Sequence, residues 1–262
     1  MRTPVVAGNW KMNLDRAKAI GLVRELKSRQ GARAAAVEVG VAPPFPYLEA
    51  VAAELRGTNV FLAGQDLHQE PFGAFTGEVA GAMLKDVGCS HVIVGHSERR
   101  RVMGESDELV GRKLARALDQ GLVPILCVGE TIAERQAKRT LGVVLEQLDA
   151  ALRDLTESNA APLLVAYEPV WAIGTGVNAT AEQVEEMHRV VRDALVKRFT
   201  PAFADRTRIL YGGSVKPENA AELLAVEGVD GVLVGGASLS AASFLAIIDA
   251  CPDRARAGGF RT

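Results

Sequence analysis

The sequence predicts an α/β fold, a single-domain closed (β/α)8 barrel, and three observations predict it. Short β-rich runs recur eight times, amphipathic stretches separate them, and reactive polar residues gather just past the ends of several runs. The runs fall at 5–8, 37–42, 60–64, 91–95, 123–128, 163–167, 208–211 and 231–234. Their spacing, roughly 23 to 45 residues, is that of a strand plus its crossover helix. The runs are almost uniformly apolar, as strands buried on both faces are. Eight such units within 262 residues suit a barrel of about 250 residues. An open doubly wound sheet would alternate in the same way, so the placement of the polar residues decides. No linker or compositional break divides the chain, which implies one domain over 1–262 with an Arg- and Gly-rich, frayed tail at 255–262.

Taken in order, the first run ends in Asn9-Trp10-Lys11-Met12-Asn13, and the third opens into a long loop at 65–78 carrying Phe72 and Phe75. The fourth ends in Gly95-His96-Ser97-Glu98-Arg99-Arg100, followed by a helical pattern over 108–120. Cys127 lies inside the apolar fifth run, as buried free thiols often do. The sixth run is entered through Pro162 and leaves the core at Glu168. Pro169-Val170-Trp171 then fixes the exit direction, and Gly174 and Gly176 permit the backbone angles of a lid over 169–179. Thr180-x-x-Gln183 is a capping box opening a helix over 181–199, and Pro217 suits a first helical turn. The seventh run leads into Tyr211-Gly212-Gly213-Ser214-Val215 and the eighth into Val234-Gly235-Gly236-Ala237-Ser238.

Composition excludes several classes of function. Lys and Arg total 30 against 32 Asp and Glu, a formal charge of -2, so no basic excess exists to neutralise a nucleic-acid backbone. No apolar stretch is long enough to cross a bilayer, and no secretory leader is recognisable, which points to the cytoplasm. Cys89, Cys127 and Cys251 are odd in number and widely spaced, and the four histidines are scattered, so neither a disulfide framework nor a metal site is expected. Gly174-x-Gly176-x-x-Ala179 matches a loose dinucleotide pattern. Residues 169–173 separate it from the strand, however, so the glycines are not delivered to a pyrophosphate.

Each strand ending has an ordinary reading: Lys11 as a surface lysine, His96 as a structural histidine, Glu168 as a solvated charge, the Gly-Gly pairs as turns. Five such endings on the face where barrel active sites form point instead to one site. Paired glycines let backbone amides approach an anion, and phosphate commonly binds after the last two strands of such barrels. Only one lysine, Lys11, is obvious at the site, so amides and a helix N-terminus are expected to carry much of the phosphate's charge. Lys11 suits an anionic substrate or a developing oxyanion, His96 can polarise a carbonyl, and Glu168 can take a proton from the adjacent carbon. Without metal or redox cofactor, this set implies proton abstraction beside a carbonyl, and an isomerase is the simplest fit.

At these residues the chain closely resembles the triosephosphate isomerases, the family from which the TIM barrel takes its name. The matches are the segments at 8–13, 73–78, 94–100, 166–176, 211–217 and 233–238, in family order. The resemblance implies interconversion of dihydroxyacetone phosphate and glyceraldehyde 3-phosphate, in glycolysis and gluconeogenesis, with no cofactor. It implies Glu168 as the base, His96 as a neutral electrophile, Asn9 and Lys11 at the substrate's oxygens, and Glu98 as the ion partner of Lys11. Gly174, Ser214, Gly235 and Gly236 would offer phosphate amides. Ile173 and Leu233 would press on Glu168 as the lid closes, while Tyr211 and Ser214 latch the lid. It also implies a homodimer through the 65–78 loop, with Thr76 reaching residues 9–11 of the partner; the alternative is packing of Phe72 and Phe75 on the chain's own barrel.

Departures from the family pattern are few. Val177 begins the lid's far hinge where Lys is frequent, Asp66 replaces a common Asn, and Asn178-Ala179-Thr180 matches a glycosylation acceptor that lacks meaning without secretion. Two alternatives remain at this stage. Another phosphosugar barrel, such as a pentose-phosphate epimerase, would share the late phosphate loops but not Lys11, His96 and Glu168 together. A barrel kept as a scaffold would not need those three residues at all.

Overall fold

The computed structural model describes residues 2–29, 36–174 and 178–252. The first half of the barrel runs β1 (Val5–Asn9), α1 (Arg16–Arg29), β2 (Glu38–Ala42), α2 (Leu48–Leu55), β3 (Phe61–Gly64), α3 (Gly81–Asp86) and β4 (His91–Val94). Helices α4 (Ser97–Arg101) and α5 (Asp107–Asp119) lead to β5 (Val123–Val128), then α6 (Ile132–Gln136), α7 (Thr140–Leu152), α8 (Glu157–Ala160) and β6 (Leu164–Tyr167). The chain continues through α9 (Ala181–Arg198), α10 (Pro201–Arg206), β7 (Arg208–Tyr211), α11 (Pro217–Ala225), β8 (Gly231–Val234) and α12 (Ala241–Asp249). All eight strands are parallel and hydrogen-bonded in sequence order, and β1 pairs with β8 from Val5↔Gly231 to Gly8↔Val234, so the barrel closes.

Alternation along the strands sorts the apolar side chains into two cores. Val5, Ala7, Ala42, Phe61, Ala63, Ile93, Ile125, Cys127, Leu164, Ala166, Leu210 and Leu233 fill the barrel. Their outward-facing neighbours, such as Val6, Val92, Leu126, Val165, Ile209 and Val232, pack against the helices. That parity aims the site: Leu164 and Ala166 point inward, so Glu168, two residues on, continues the same row at the barrel's upper rim. The helix signals operate locally. Thr180 and Gln183 form a reciprocal capping box on α9, and Pro217 occupies the first turn of α11. Among the described residues, no helix is long and apolar enough to cross a membrane.

Two regions of the lid and tail reading lie outside the described residues: Thr175, Gly176 and Val177 in the lid, and the whole of 255–262.

Candidate active site

Asn9, Lys11, His96, Glu168, Ile173, Gly174 and Leu233 line one cavity of about 250 Å³ at the C-terminal mouth of the barrel. Residues 212–216 and 235–237 complete its wall. Each reactive side chain arrives by a distinct local device. Lys11 holds a left-handed backbone, φ 51°, which disfavours any residue with a Cβ. Its N–H donates to Asn9 Oδ1 at 3.0 Å, and Gln65 Nε2 donates to its carbonyl at 2.8 Å, so flanking side chains hold the conformation. Its ammonium meets Glu98 Oε1 at 2.6 Å.

Gly95 turns the chain at the end of β4 with φ 70°, a conformation that glycine adopts freely. His96 follows as the N-cap of α4. Its Nδ1 accepts the Glu98 N–H at 3.2 Å. With Nδ1 accepting, Nε2 is the ring nitrogen left to donate. That Nε2–H faces Glu168 Oε1 at 3.1 Å. The other carboxylate oxygen, Oε2, accepts the Ser97 N–H at 2.9 Å. Glu168 is 2% exposed, and a buried carboxylate needs such donors.

The backbone of Glu168 is gripped on both sides. Its N–H donates to Val128 O at 2.8 Å, and the Gly212 N–H donates to Tyr167 O at 2.8 Å. Glycine at 212 matters for contact: a Cβ there would lie 2.8 Å from Glu168 Cγ. The short turn that follows, Val170–Ala172, is anchored by the fully buried Glu130. Glu130 accepts from Trp171 Nε1 at 2.8 Å, Tyr167 OH at 3.1 Å and Arg135 Nη1 at 3.1 Å. Arg135 also stacks 4.6 Å over the Trp171 ring. Sequence reasoning passed over Glu130, although the rule that selects residues just past strand ends applies equally to β5.

One expectation needs correction. Lys11 is not alone at the site, since Lys216 also lines the cavity. In the sequence Lys216 precedes Pro217 at a helix start, where a lysine reads as a surface charge; only the fold brings its loop round the mouth.

Behind the site, Asp66, Arg99, Glu105 and Lys113 form a buried ion cluster. Lys113 Nζ reaches Asp66 Oδ2 at 2.6 Å and also contacts Glu105, while Arg99 Nε meets Glu105 Oε1 at 2.6 Å and Asp66 Oδ2 at 2.8 Å. Burial pushes the Asp66 carboxyl up to about 6 against the pull of Lys113, with the Glu105 charge adding to the rise.

Residues 4–251 match one family, described as Triosephosphate isomerase. The chain belongs to the triosephosphate isomerase family. A relative from Symbiobacterium thermophilum named Triosephosphate isomerase is 51% identical over 98% of this chain and 100% of its own length. Relatives of the same name from Pelobacter propionicus and Carboxydothermus hydrogenoformans are 49% and 50% identical, each over 95% of this chain and 99% and 98% of theirs. Membership in this family makes the chain an isomerase and leaves no place for the scaffold alternative. It bears equally on the barrel, which is the family's own fold.

Proposed function

We propose that the chain interconverts dihydroxyacetone phosphate and D-glyceraldehyde 3-phosphate by proton transfer through an enediolate. The observation that carries this reading is the meeting of Glu168, His96 and Lys11, from three separate strand ends, in one cavity that glycine-rich loops also line. Glu168 takes the proton from carbon 1 of the ketose. The electron pair of that C–H bond forms the C1–C2 double bond, and the carbonyl pair moves onto O2. The Nε2–H of His96 and the Lys11 ammonium stabilise that oxyanion, with Asn9 beside them and Glu98 holding Lys11 in place. His96 gives a proton to O2 and takes one from O1, and Glu168 returns its proton to C2, so the count balances and the aldehyde results.

Phosphate falls to the amides of Gly174, Ser214, Gly235 and Gly236. At the last of these positions no neighbour inside the chain demands glycine. A Cβ at Gly236 would meet no atom within 4 Å, and one at Gly235 only the end of the Lys11 side chain, Cε at an ordinary 3.6 Å and Nζ at 4.0 Å. Bare backbone there suits close approach of an external group. In the arrangement described, both Glu168 oxygens are engaged by Ser97 and His96, so the base must exchange the Ser97 bond for the substrate. Closure of the 169–179 lid supplies the push through Ile173 and Leu233, and excludes water that would otherwise strip phosphate from the enediolate.

The working unit is a homodimer. Phe72 is 82% exposed at the tip of the 65–78 loop, and Met12, Val102 and Met103 are also bare. Phe72 does not pack on its own barrel, and exposed apolar groups of this size mark a protein contact. The same contact brings Thr76 towards residues 9–11 of the second copy.

The test is conversion of glyceraldehyde 3-phosphate by the wild-type protein and by Glu168→Asp, with EDTA present and no cofactor. Fast turnover that falls at least a hundredfold in the variant supports the reading, because one methylene less withdraws the carboxylate from the reacting carbon. A folded dimer with no wild-type turnover would sink it and revive the pentose-phosphate epimerase alternative.

A further inference from the structure

Resting on the isomerase reading, we propose that Gln147 is a positioning residue for the base, one that holds the backbone of Glu168 through Gly129 without touching substrate. The need for it arises where β4 ends. Strands β4 and β5 pair as far as Val94↔Leu126, and Gly95 then turns the chain away with φ 70°. On its other side the β5 chain keeps pairing: Val128 O accepts the Glu168 N–H at 2.8 Å, and Glu130 O accepts the Val170 N–H at 3.1 Å. Alternation along an extended chain sends Cys127 O and the polar groups of Gly129 the opposite way, to where β4 is missing. Side chains take its place. Arg100 Nη2 donates to Cys127 O at 3.2 Å. Gln147 serves Gly129 with both ends of its amide, Oε1 accepting the Gly129 N–H at 2.8 Å and Nε2 donating to Gly129 O at 3.1 Å.

Gly129 transmits this grip. A Cβ on it would lie 1.8 Å from Glu168 O and 2.6 Å from Glu168 C, so the two backbones touch with nothing between them. Packing does not supply the same restraint. Glu168 also lines a second cavity, of about 360 Å³, together with Ser97, Val128, Gly129, Gln147 and Val170. The anchor itself is firm, because Gln147 sits on α7, whose Val144, Leu148, Ala151 and Leu152 are buried in the core between barrel and helices. The paired hydrogen bonds therefore tie the base to the helical shell. Slack of a fraction of an ångström at a reacting group costs about tenfold in rate.

The test compares full-length wild type with Gln147→Met, which keeps the length and loses the amide, and repeats the comparison in the Glu168→Asp background. kcat and KM are measured with dihydroxyacetone phosphate carrying hydrogen or deuterium at C1, and amide hydrogen exchange is followed by NMR. The expected result is a kcat about tenfold lower with KM within about twofold of wild type. The deuterium effect on kcat rises, because proton transfer has slowed relative to the other steps. In Glu168→Asp, whose carboxylate is already misplaced, the same substitution costs less than about twofold. The amides of Gly129, Glu168 and Val170 exchange about tenfold faster or more, while those of β1 and β2 keep their rates. A kcat within about twofold of wild type overturns the proposal, as does an equal loss in both backgrounds, the mark of a merely structural role. Gln147→Asn, a methylene short of Gly129, gives the same pattern and replaces Gln147→Met if that variant does not fold. If wild type turns over no triose phosphate, the isomerase reading fails, and the exchange rates at Gly129 and Glu168 still decide whether Gln147 holds Glu168.

Discussion

Glu168 is fixed by backbone bonds to β5 and β7, by two donors on its carboxylate and by the bare Cα of Gly212. Gly212→Ala therefore displaces the base without touching substrate: kcat is expected to fall about a hundredfold, while circular dichroism and the unfolding midpoint stay close to wild type. A kcat within twofold of wild type would show that the base tolerates the added methyl. His188 offers a second test at this scale. Its Nδ1–H donates to Gly228 O at 3.1 Å, leaving a fully buried Nε2 with no partner among the described residues. Burial pushes its pKa down from 6.5 to about 4. The unfolded chain then binds the proton more tightly, so this site's stabilisation is complete above pH 6.5 and is lost as pH falls towards 4. The loss is about 3 kcal/mol. His188→Asn, which keeps an N–H for Gly228 O, should lack that component in urea unfolding followed between pH 7 and 4; an unchanged pH profile would contradict it. Individual residues are where the sequence was least legible. Lys216 and Glu130 carry no local signature, because what matters about each is a neighbour some forty or more residues away, or a cavity wall.

Whole elements were far easier to read. All eight runs form strands, since a short apolar segment between turn signals has few other places to go. Ends shift by a residue where a local device intervenes: β4 stops at Val94 because Gly95 turns with positive φ, and β1 gains Asn9 through pairing with Ala42. The capping residues Thr180 and Gln183 were visible because their bonds span three positions. The cluster joining Asp66 to α4 and α5 was not, because its members lie up to 47 residues apart. Asp66 stands out in the sequence only as a replacement for Asn, and the structure shows the consequence. A carboxyl held near 6, above the unfolded value of 3.8, binds its proton more tightly when folded. Its contribution to stability is thus full below pH 3.8 and declines as pH rises through about 6. Asp66→Asn should remove that decline, read as a flatter unfolding midpoint between pH 4 and 7. A profile that still falls over this interval would place the effect elsewhere in the cluster.

The whole molecule combines a closed barrel with an unburied loop. Closure leaves no free sheet edge, and among the described residues the barest large apolar side chains are Met12, Phe72 and Val102. On the proposed homodimer, Phe72→Glu should leave the barrel folded but give a monomer in sedimentation velocity, with activity reduced because the proposed Thr76 contact at residues 9–11 is lost. A dimeric, active Phe72→Glu protein would contradict this interface. Phe72 and Phe75 could be read from sequence as groups in need of a partner; Phe75 finds His68 of its own loop, ring centroids 4.1 Å apart, while Phe72 stays bare. The most direct measurement of the central claim, proton transfer by Glu168, is turnover of dihydroxyacetone phosphate in deuterium oxide with the product analysed by mass and NMR. Proton transfer by Glu168 puts deuterium at C2 of the glyceraldehyde 3-phosphate formed, and that product is lost in Glu168→Gln. Rapid turnover by wild type with no solvent deuterium at C2 would mean that hydrogen passes directly between the carbons, and that Glu168 is not the base.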